Sequence, residues 1–284
     1  MTDLTDWHIH SRHSPCGHPD SDLARVVREA RAQGLSEFGL SDHLHCRLNL
    51  PALEAARAAF DALGPPPGAH FGLEVSCLRR WDLEQNDALG ERGSIYGVRQ
   101  GGPADGELTV YLPAGAVEML RPEYIIGGAH WPLGAELEPQ SIIRSYHRQY
   151  LFLAAHPQVD VVAHPWWWMG AWQDADGVYR THPWLGDFGV VPRSLHEEFA
   201  AAAVRHGKAV EINIHAMLTN HEYPAEFRRT GYPRYLALLR DLGVRFSIGS
   251  DSHSAGYEGR LEAAAEAISR LGLRPDDLWR PDRR

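Results

Sequence analysis

The sequence predicts an α/β chain folded as a barrel of seven β/α units. Three observations predict it. Short apolar runs of strand character are followed by longer helical stretches in a repeating order. Seven such units in a row favour a parallel sheet, most economically closed into a barrel. Histidines and carboxylates recur where the strands end, which is the rim on which barrels of this class carry their sites.

Taken in order, Thr5–His10 reads as the first strand. Asp22–Gln33 follows as a helix, with Leu23, Val26, Val27 and Ala30 at helical spacing and Gly34 as its stop. Glu37–Ser41 is the second strand and Leu53–Leu63 the second helix, ended by the Pro65–Pro67 run. His70–Ser76, Glu123–Gly128 and Val159–Ala163 are the third to fifth strands, with a helix over Pro139–Ala155 between the last two. Pro192–His206 reads as helix, Ala209–Ile214 as the sixth strand and Tyr232–Leu242 as helix. Arg245–Gly249 is the seventh strand and Glu258–Leu271 the closing helix. Two stretches interrupt the pattern. Residues 77–112 read as an insertion with a β-hairpin around Gly101–Gly106, and residues 166–191 as a loop rich in Trp, Gly and Asp. Strand-to-helix loops build the pockets of barrels, so both are candidates for specificity. One barrel domain over residues 1–284 is expected.

Composition narrows the function classes. Hydrophobic residues make up 44% of the 284, enough for a full core without disulfides. The formal charge of −9 argues against tight binding of long nucleic acids, which needs a basic footprint. It leaves a small phosphorylated substrate open, because bound cations reverse the local sign. Cys16, Cys46 and Cys77 show no CxxC spacing, and this points to a reducing, cytoplasmic compartment. No run approaches ~18 apolar residues and the opening MTDLTDWHIH has no leader character, so no membrane is expected.

The unusual number is 17 histidines. His8 and His10 stand two apart on a strand and so share a face. His43 follows the second strand, Glu74 lies near the end of the third, His130 follows the fourth and His164 the fifth. Asp251 and His253 follow the seventh. Any one of these suits an ordinary structural role: a hydrogen-bonded histidine, a salt-bridged Glu or a capped turn. Six strands delivering metal-type side chains to one rim do not. Neutral imidazole is a common zinc ligand, and the two oxygens of a carboxylate allow it to bridge two ions. An apolar strand such as FGLEVS needs a reason to hold a Glu.

The HxH of His8 and His10, the CGH of His18, the SDH of His43, the GLE of Glu74, the GGAH of His130, the AHP of His164 and the GSDSH of Asp251 and His253 resemble, in order and spacing, the PHP (polymerase and histidinol phosphatase) family. The similarity runs from His8 to His253 and is closest to the histidinol-phosphatase branch. It implies a distorted (β/α)7 barrel of the PHP type with three divalent metal ions (Zn, Mn or Fe). The first would take His8, His10, Glu74 and Asp251. The second would share Glu74 and add His130 and His164; the third would take His18, His43 and His253. The implied activity is hydrolysis of a phosphate monoester by metal-activated hydroxide, with L-histidinol phosphate as the leading substrate and a place in histidine biosynthesis. Asp42 and His215 are candidates for proton relay or for support of the ligands.

Two other readings stand beside it: a PHP phosphoesterase acting on a nucleotide or nucleic-acid end, and a noncatalytic PHP binding module. The module predicts missing ligands, yet every family position is filled. A C–N-cleaving amidohydrolase would want a metal-bridging lysine; Lys208, the only lysine, precedes the sixth strand instead. Arg12, Arg47, Arg79 and Arg99 lie in loops on the rim side and suit bidentate phosphate contacts, with none singled out. Trp166, Trp167 and Trp168, with Trp172 and Trp184 nearby, depart from the family pattern. Their faces suit stacking on a ring or cation, or packing of the loop against the rim.

Overall fold

Strands that bury both faces pair here with their neighbours in sequence. The computed structural model describes residues 4–64, 67–98, 101–168, 170, 172–174, 176–256 and 260–281. Its seven barrel strands are β1 (Thr5–Ile9), β2 (Glu37–Leu40), β3 (Ala69–Ser76), β4 (Tyr124–Gly128), β5 (Val161–Ala163), β6 (Ala209–Asn213) and β7 (Arg245–Gly249). All neighbouring pairs are parallel and follow chain order from β1 to β7. Closure is offset. β1 meets the chain just past β7, where the His10 N–H donates to Ser252 O (2.9 Å) and the Asp251 N–H to His8 O (2.8 Å). That offset is the distortion of the barrel, and it brings the HxH of β1 against the SDSH after β7.

Among the described residues eight α-helices accompany the strands: α1 (Leu23–Ala32), α2 (Leu50–Ala62), α3 (Arg80–Ala88), α4 (Ala114–Leu120), α5 (Pro139–Ala155), α6 (Arg193–Arg205), α7 (Tyr232–Asp241) and α8 (Arg260–Leu271). Helix residues such as Val26, Phe60, Tyr150, Phe199, Leu236 and Ile268 share one buried cluster with Phe38, Phe71, Val162 and Phe246 of the strands. A second cluster gathers Trp7, Tyr124 and Trp279 edge to face, with centroids 5.8–5.9 Å apart. Gly39 and Gly72 make room for it, since a methyl group at either would overlap the Tyr124 ring.

Predicted strands and helices agree with these to within about three residues, the boundary precision expected from periodicity. The insertion departs from expectation. Among the described residues no hairpin turns at Gly101–Gly106; instead Leu78–Arg79 pairs antiparallel with Leu108–Thr109, and α3 lies between them. Periodicity missed α3 because its buried residues are Asp82 and Asn86 rather than an apolar stripe. The fully buried Arg79 organises the segment, donating to both Asp82 oxygens (2.6 and 3.0 Å), Gly101 O (2.7 Å) and Pro103 O (2.9 Å). The 166–191 loop carries a small antiparallel pair, Trp172–Gln173 with Tyr179–Arg180. Pro65, Pro66, Arg99 and Glu258 lie outside the described residues. No helix among the described residues is long and apolar enough to cross a membrane.

Candidate metal centre

Glu74 sits near the end of β3, 1% exposed, with an imidazole on every side. Its two oxygens divide the histidines. Oε2 lies 3.0 Å from His8 Nε2, 3.3 Å from His10 Nε2 and 2.9 Å from His43 Nδ1. Oε1 lies 2.9 Å from His130 Nε2 and 3.2 Å from His164 Nε2. Asp251 Oδ1 adds a second carboxylate, 3.3 Å from His10 Nε2 and 3.4 Å from His253 Nε2.

Backbone geometry accounts for the convergence. Past β2 the chain re-pairs with β3, setting His43 directly opposite Glu74. His164 (φ 28°) and Asp251 (φ 52°) both adopt left-handed backbone conformations that L-residues seldom hold. Strain of this kind persists where surrounding structure enforces it, commonly at functional sites.

Burial and charge decide the protonation states. Burial alone would neutralise Glu74, but the His43, His8 and His130 rings and a hydrogen bond from His10 hold its carboxyl well below the usual range. Asp251 behaves alike: burial opposes its charge, and His8, His10 and His253 outweigh it. Burial also works against a charge on His8, yet Glu211, Glu74 and Asp251 raise it well above its ordinary value. His10 rises to about 9, with burial overcome by its bonds to Asp251 and Glu74. Burial pushes His43 and His253 down to about 4 and His130 to about 3, leaving neutral rings with lone pairs to offer.

The donor set fits divalent cations. Two ring nitrogens, His8 Nε2 and His10 Nε2, face each other at 3.2 Å beside a carboxylate oxygen. His43 Nδ1 lies buried near Glu74 Oε2 without making a hydrogen bond. Ligand atoms within 4.8 Å of one another come from His8, His10 and Glu74, from His43, Glu74 and His130, and from His10, Cys16 and His253.

A pH prediction follows. In the metal-free protein His10 keeps its proton to pH about 9, against 6.5 ordinarily. Its contribution to stability is therefore fully present below pH 6.5 and is lost as pH rises through about 9. A cation binding at neutral pH must displace that proton. Calorimetric zinc titration in buffers of different ionisation enthalpy should show proton release at pH 7 that fades above about pH 9. Identical heats in every buffer would contradict a protonated cluster.

Of the nine positions matched to the family, eight gather here. His18 stands apart: its ring is largely exposed and bonded through Nδ1 to Asp20 (2.5 Å), although its N–H donates to His253 O (2.7 Å). The set His18, His43 and His253 is thus not drawn together, because the buried carboxylates of Glu74 and Asp251 attract the other two rings. Asp42 is buried but faces Ser11, accepting from its N–H (2.6 Å) and hydroxyl (2.5 Å). It braces the end of β1. His215 lies past the end of β6, on a turn over Ile214–Leu218, exposed, with its ring edge-on to His253 at 5.8 Å.

The sequence reading missed three residues. Glu211, in the apolar run AVEIN of β6, accepts from His8 Nδ1 (2.6 Å), the His164 N–H (2.8 Å) and Asn213 Nδ2 (2.9 Å). The signal was the one that exposed Glu74: a carboxylate in an apolar strand. A methyl group at Gly249 would collide with Glu211 Oε1, so the glycine of GSD makes space for it. His45, two beyond His43, shares the Ser76 hydroxyl (2.6 Å) with His130 Nδ1 (2.8 Å). With the Nε2–H of the neutral His130 turned to the ionised Glu74, its Nδ1 accepts from the Ser76 hydroxyl, which in turn accepts from His45 Nδ1–H. Cys16 is the third, its thiol pushed up to about 12 by burial.

A cavity of about 300 Å³ opens on this centre. None of the arginines considered above lines it among the described residues. Arg79 is spent on the insertion, Arg47 pairs with Asp87 (3.3 Å) and Glu91 (3.2 Å), and Arg12 is exposed.

In sequence the chain is similar to proteins named probable phosphatases, and in shape to one solved barrel. No family model matches the chain. A probable phosphatase of Thermoanaerobacter sp. (strain X514) is 23% identical over 288 residues, covering 98% of this chain and 91% of that protein. A probable phosphatase of Acetivibrio thermocellus is 23% identical over 281 residues, covering 96% and 89%. A crystal structure from Listeria monocytogenes, provisionally assigned as the histidinol phosphatase hisK, superposes with a TM-score of 0.51 at 14% identity, covering 90% of this chain and 99% of that one. At that identity the likeness shows a shared barrel fold and nothing finer.

Proposed function

We propose that the protein is a metal-dependent phosphoric monoester hydrolase of the PHP type, with L-histidinol phosphate as its leading substrate. The observation that carries this reading is Glu74, whose two oxygens face two separate sets of imidazoles. His8, His10 and Asp251 would hold one cation with Glu74, and His130 and His164 a second. His43 and His253 would serve a third, which His18 would join only by releasing Asp20. Full-length similarity to two proteins named probable phosphatases supports the reaction class.

Divalent cations bound there would lower the pKa of water toward neutrality and offset charge on the phosphoryl oxygens. The chain's own residues do the rest. Glu74 and Asp251 stay ionised and supply the negative charge that holds cations in a buried site. Glu211 and Ser76 fix the orientation of His8 and His130. The neutral rings of His43 and His253 present lone pairs near neutral pH. The small cavity suits a monoester rather than a polymer.

The test is reconstitution with zinc, manganese or iron followed by a screen of phosphomonoesters that includes histidinol phosphate and nucleotides. Metal-dependent release of phosphate is expected, and chelation should abolish it. Preference for a nucleotide would transfer the reading to a nucleotide phosphoesterase. Absence of turnover with every metal would leave the binding module.

A further inference from the structure

Among the described residues, four of the cavity wall belong to none of the proposed ligand sets: Cys16, His45, Tyr96 and Trp167. Two of them are large aromatics, and both interruptions of the barrel pattern supply one.

Trp167 comes from the loop after β5. The left-handed backbone at His164 and Trp166 (φ 28° and 71°) splits the three tryptophans. Trp166 is buried at 0% exposure, edge-on to Tyr150 at 5.2 Å. Trp167 turns to the cavity, edge-on to His164 (4.9 Å) and His130 (6.0 Å). Its flanks are pinned: the Trp166 N–H donates to Tyr150 Oη (2.5 Å) and the Trp168 N–H to Tyr223 Oη (3.0 Å). Tyr96 comes from the insertion after β3. Ser94 donates its N–H to Asn86 Oδ1 (2.8 Å), and Asn49 Nδ2 donates to Ile95 O (3.0 Å). The Tyr96 hydroxyl donates to Pro15 O (2.9 Å), spanning to the loop after β1. Its ring lies 6.0 Å from His45.

We propose that Trp167 and Tyr96 form a preorganised aromatic recess for the leaving alcohol, so that the preferred substrates are phosphomonoesters carrying a planar aromatic or heteroaromatic group. This rests on the phosphatase reading, whose leading substrate carries such a ring, and adds to it the residues that select for the ring. Rigid aromatic walls lose little entropy on binding, and ring pairs gain affinity beyond their buried area. The cations would meet the phosphate; the recess meets the alcohol that leaves it.

The experiment compares 2-phenylethyl phosphate with n-butyl phosphate, two primary alkyl phosphates, on the metal-loaded enzyme. Wild type should favour the aromatic ester in kcat/KM by about tenfold, the scale of such ring contacts with their buried area. Trp167→Ala and Tyr96→Ala should each raise KM for the aromatic ester several-fold, bring the aromatic-to-butyl ratio of kcat/KM toward one and leave bound metal unchanged. Trp167→Phe and Tyr96→Phe, which keep a ring, should retain the preference. Equal turnover of both esters by wild type, or equal losses on both in the alanine variants, would overturn the recess while leaving the phosphatase standing. No turnover of either ester, nor of any phosphomonoester in the screen above, would remove both.

Discussion

Glu74→Ala is expected to lower kcat/KM on any phosphomonoester by about a thousandfold or more and to strip most of the bound metal. The scale follows from losing several kcal/mol of charge stabilisation in a dry site. The loss should be this large because one side chain serves both imidazole sets. Its Oε2 lies against His8, His10 and His43, and its Oε1 against His130 and His164. Removing it leaves five buried rings without the carboxylate they face. Glu74→Gln keeps the volume and one acceptor but loses the charge, so it separates electrostatics from packing. Elemental analysis of both variants reads the result. Unchanged metal content in Glu74→Ala would remove the bridging role, whatever happens to activity.

How much of this was legible in the sequence depends on the range of the force involved. The barrel was legible because each β/α unit writes its burial into local periodicity, as Pro139–Ala155 does from end to end. Rim residues were legible because strand ends are local features too, and eight of nine matched positions meet. What escaped was set by long-range polar contacts. Arg79 folds the insertion around its guanidinium through Asp82, Gly101 and Pro103, and no local pattern announces this. The outward ring of His18 follows from a partner two residues away, Asp20, that competes with the centre. The tryptophan run was ambiguous by composition. Its division into a buried Trp166 and a cavity-facing Trp167 comes from two left-handed backbone positions.

Glu211 offers the second large effect, and its variants should separate two roles of one carboxylate. Its Oε1 accepts from His8 Nδ1 at 2.6 Å, and this fixes the tautomer that leaves Nε2 free to bind a cation. Its Oε2 accepts from the His164 N–H, so the same group positions a side chain of each proposed cation set. In Glu211→Gln the amide oxygen can still satisfy the His164 N–H, which turns the amide NH2 toward His8. That donor makes Nδ1 the acceptor, moves the ring proton to Nε2 and occupies the ligand atom. Metal affinity should fall by about 10- to 100-fold, as for other residues that orient a metal-binding histidine. The fall should steepen at low pH, where protons compete for His8. Stability of the metal-free protein should also drop in Glu211→Ala, by about 3–5 kcal/mol, because the buried His8 charge and the His164 N–H both lose their partner. Competitive chelator titration measures the first quantity and urea unfolding the second. Glu211→Gln with wild-type metal affinity would show that the tautomer of His8 is set by some other contact.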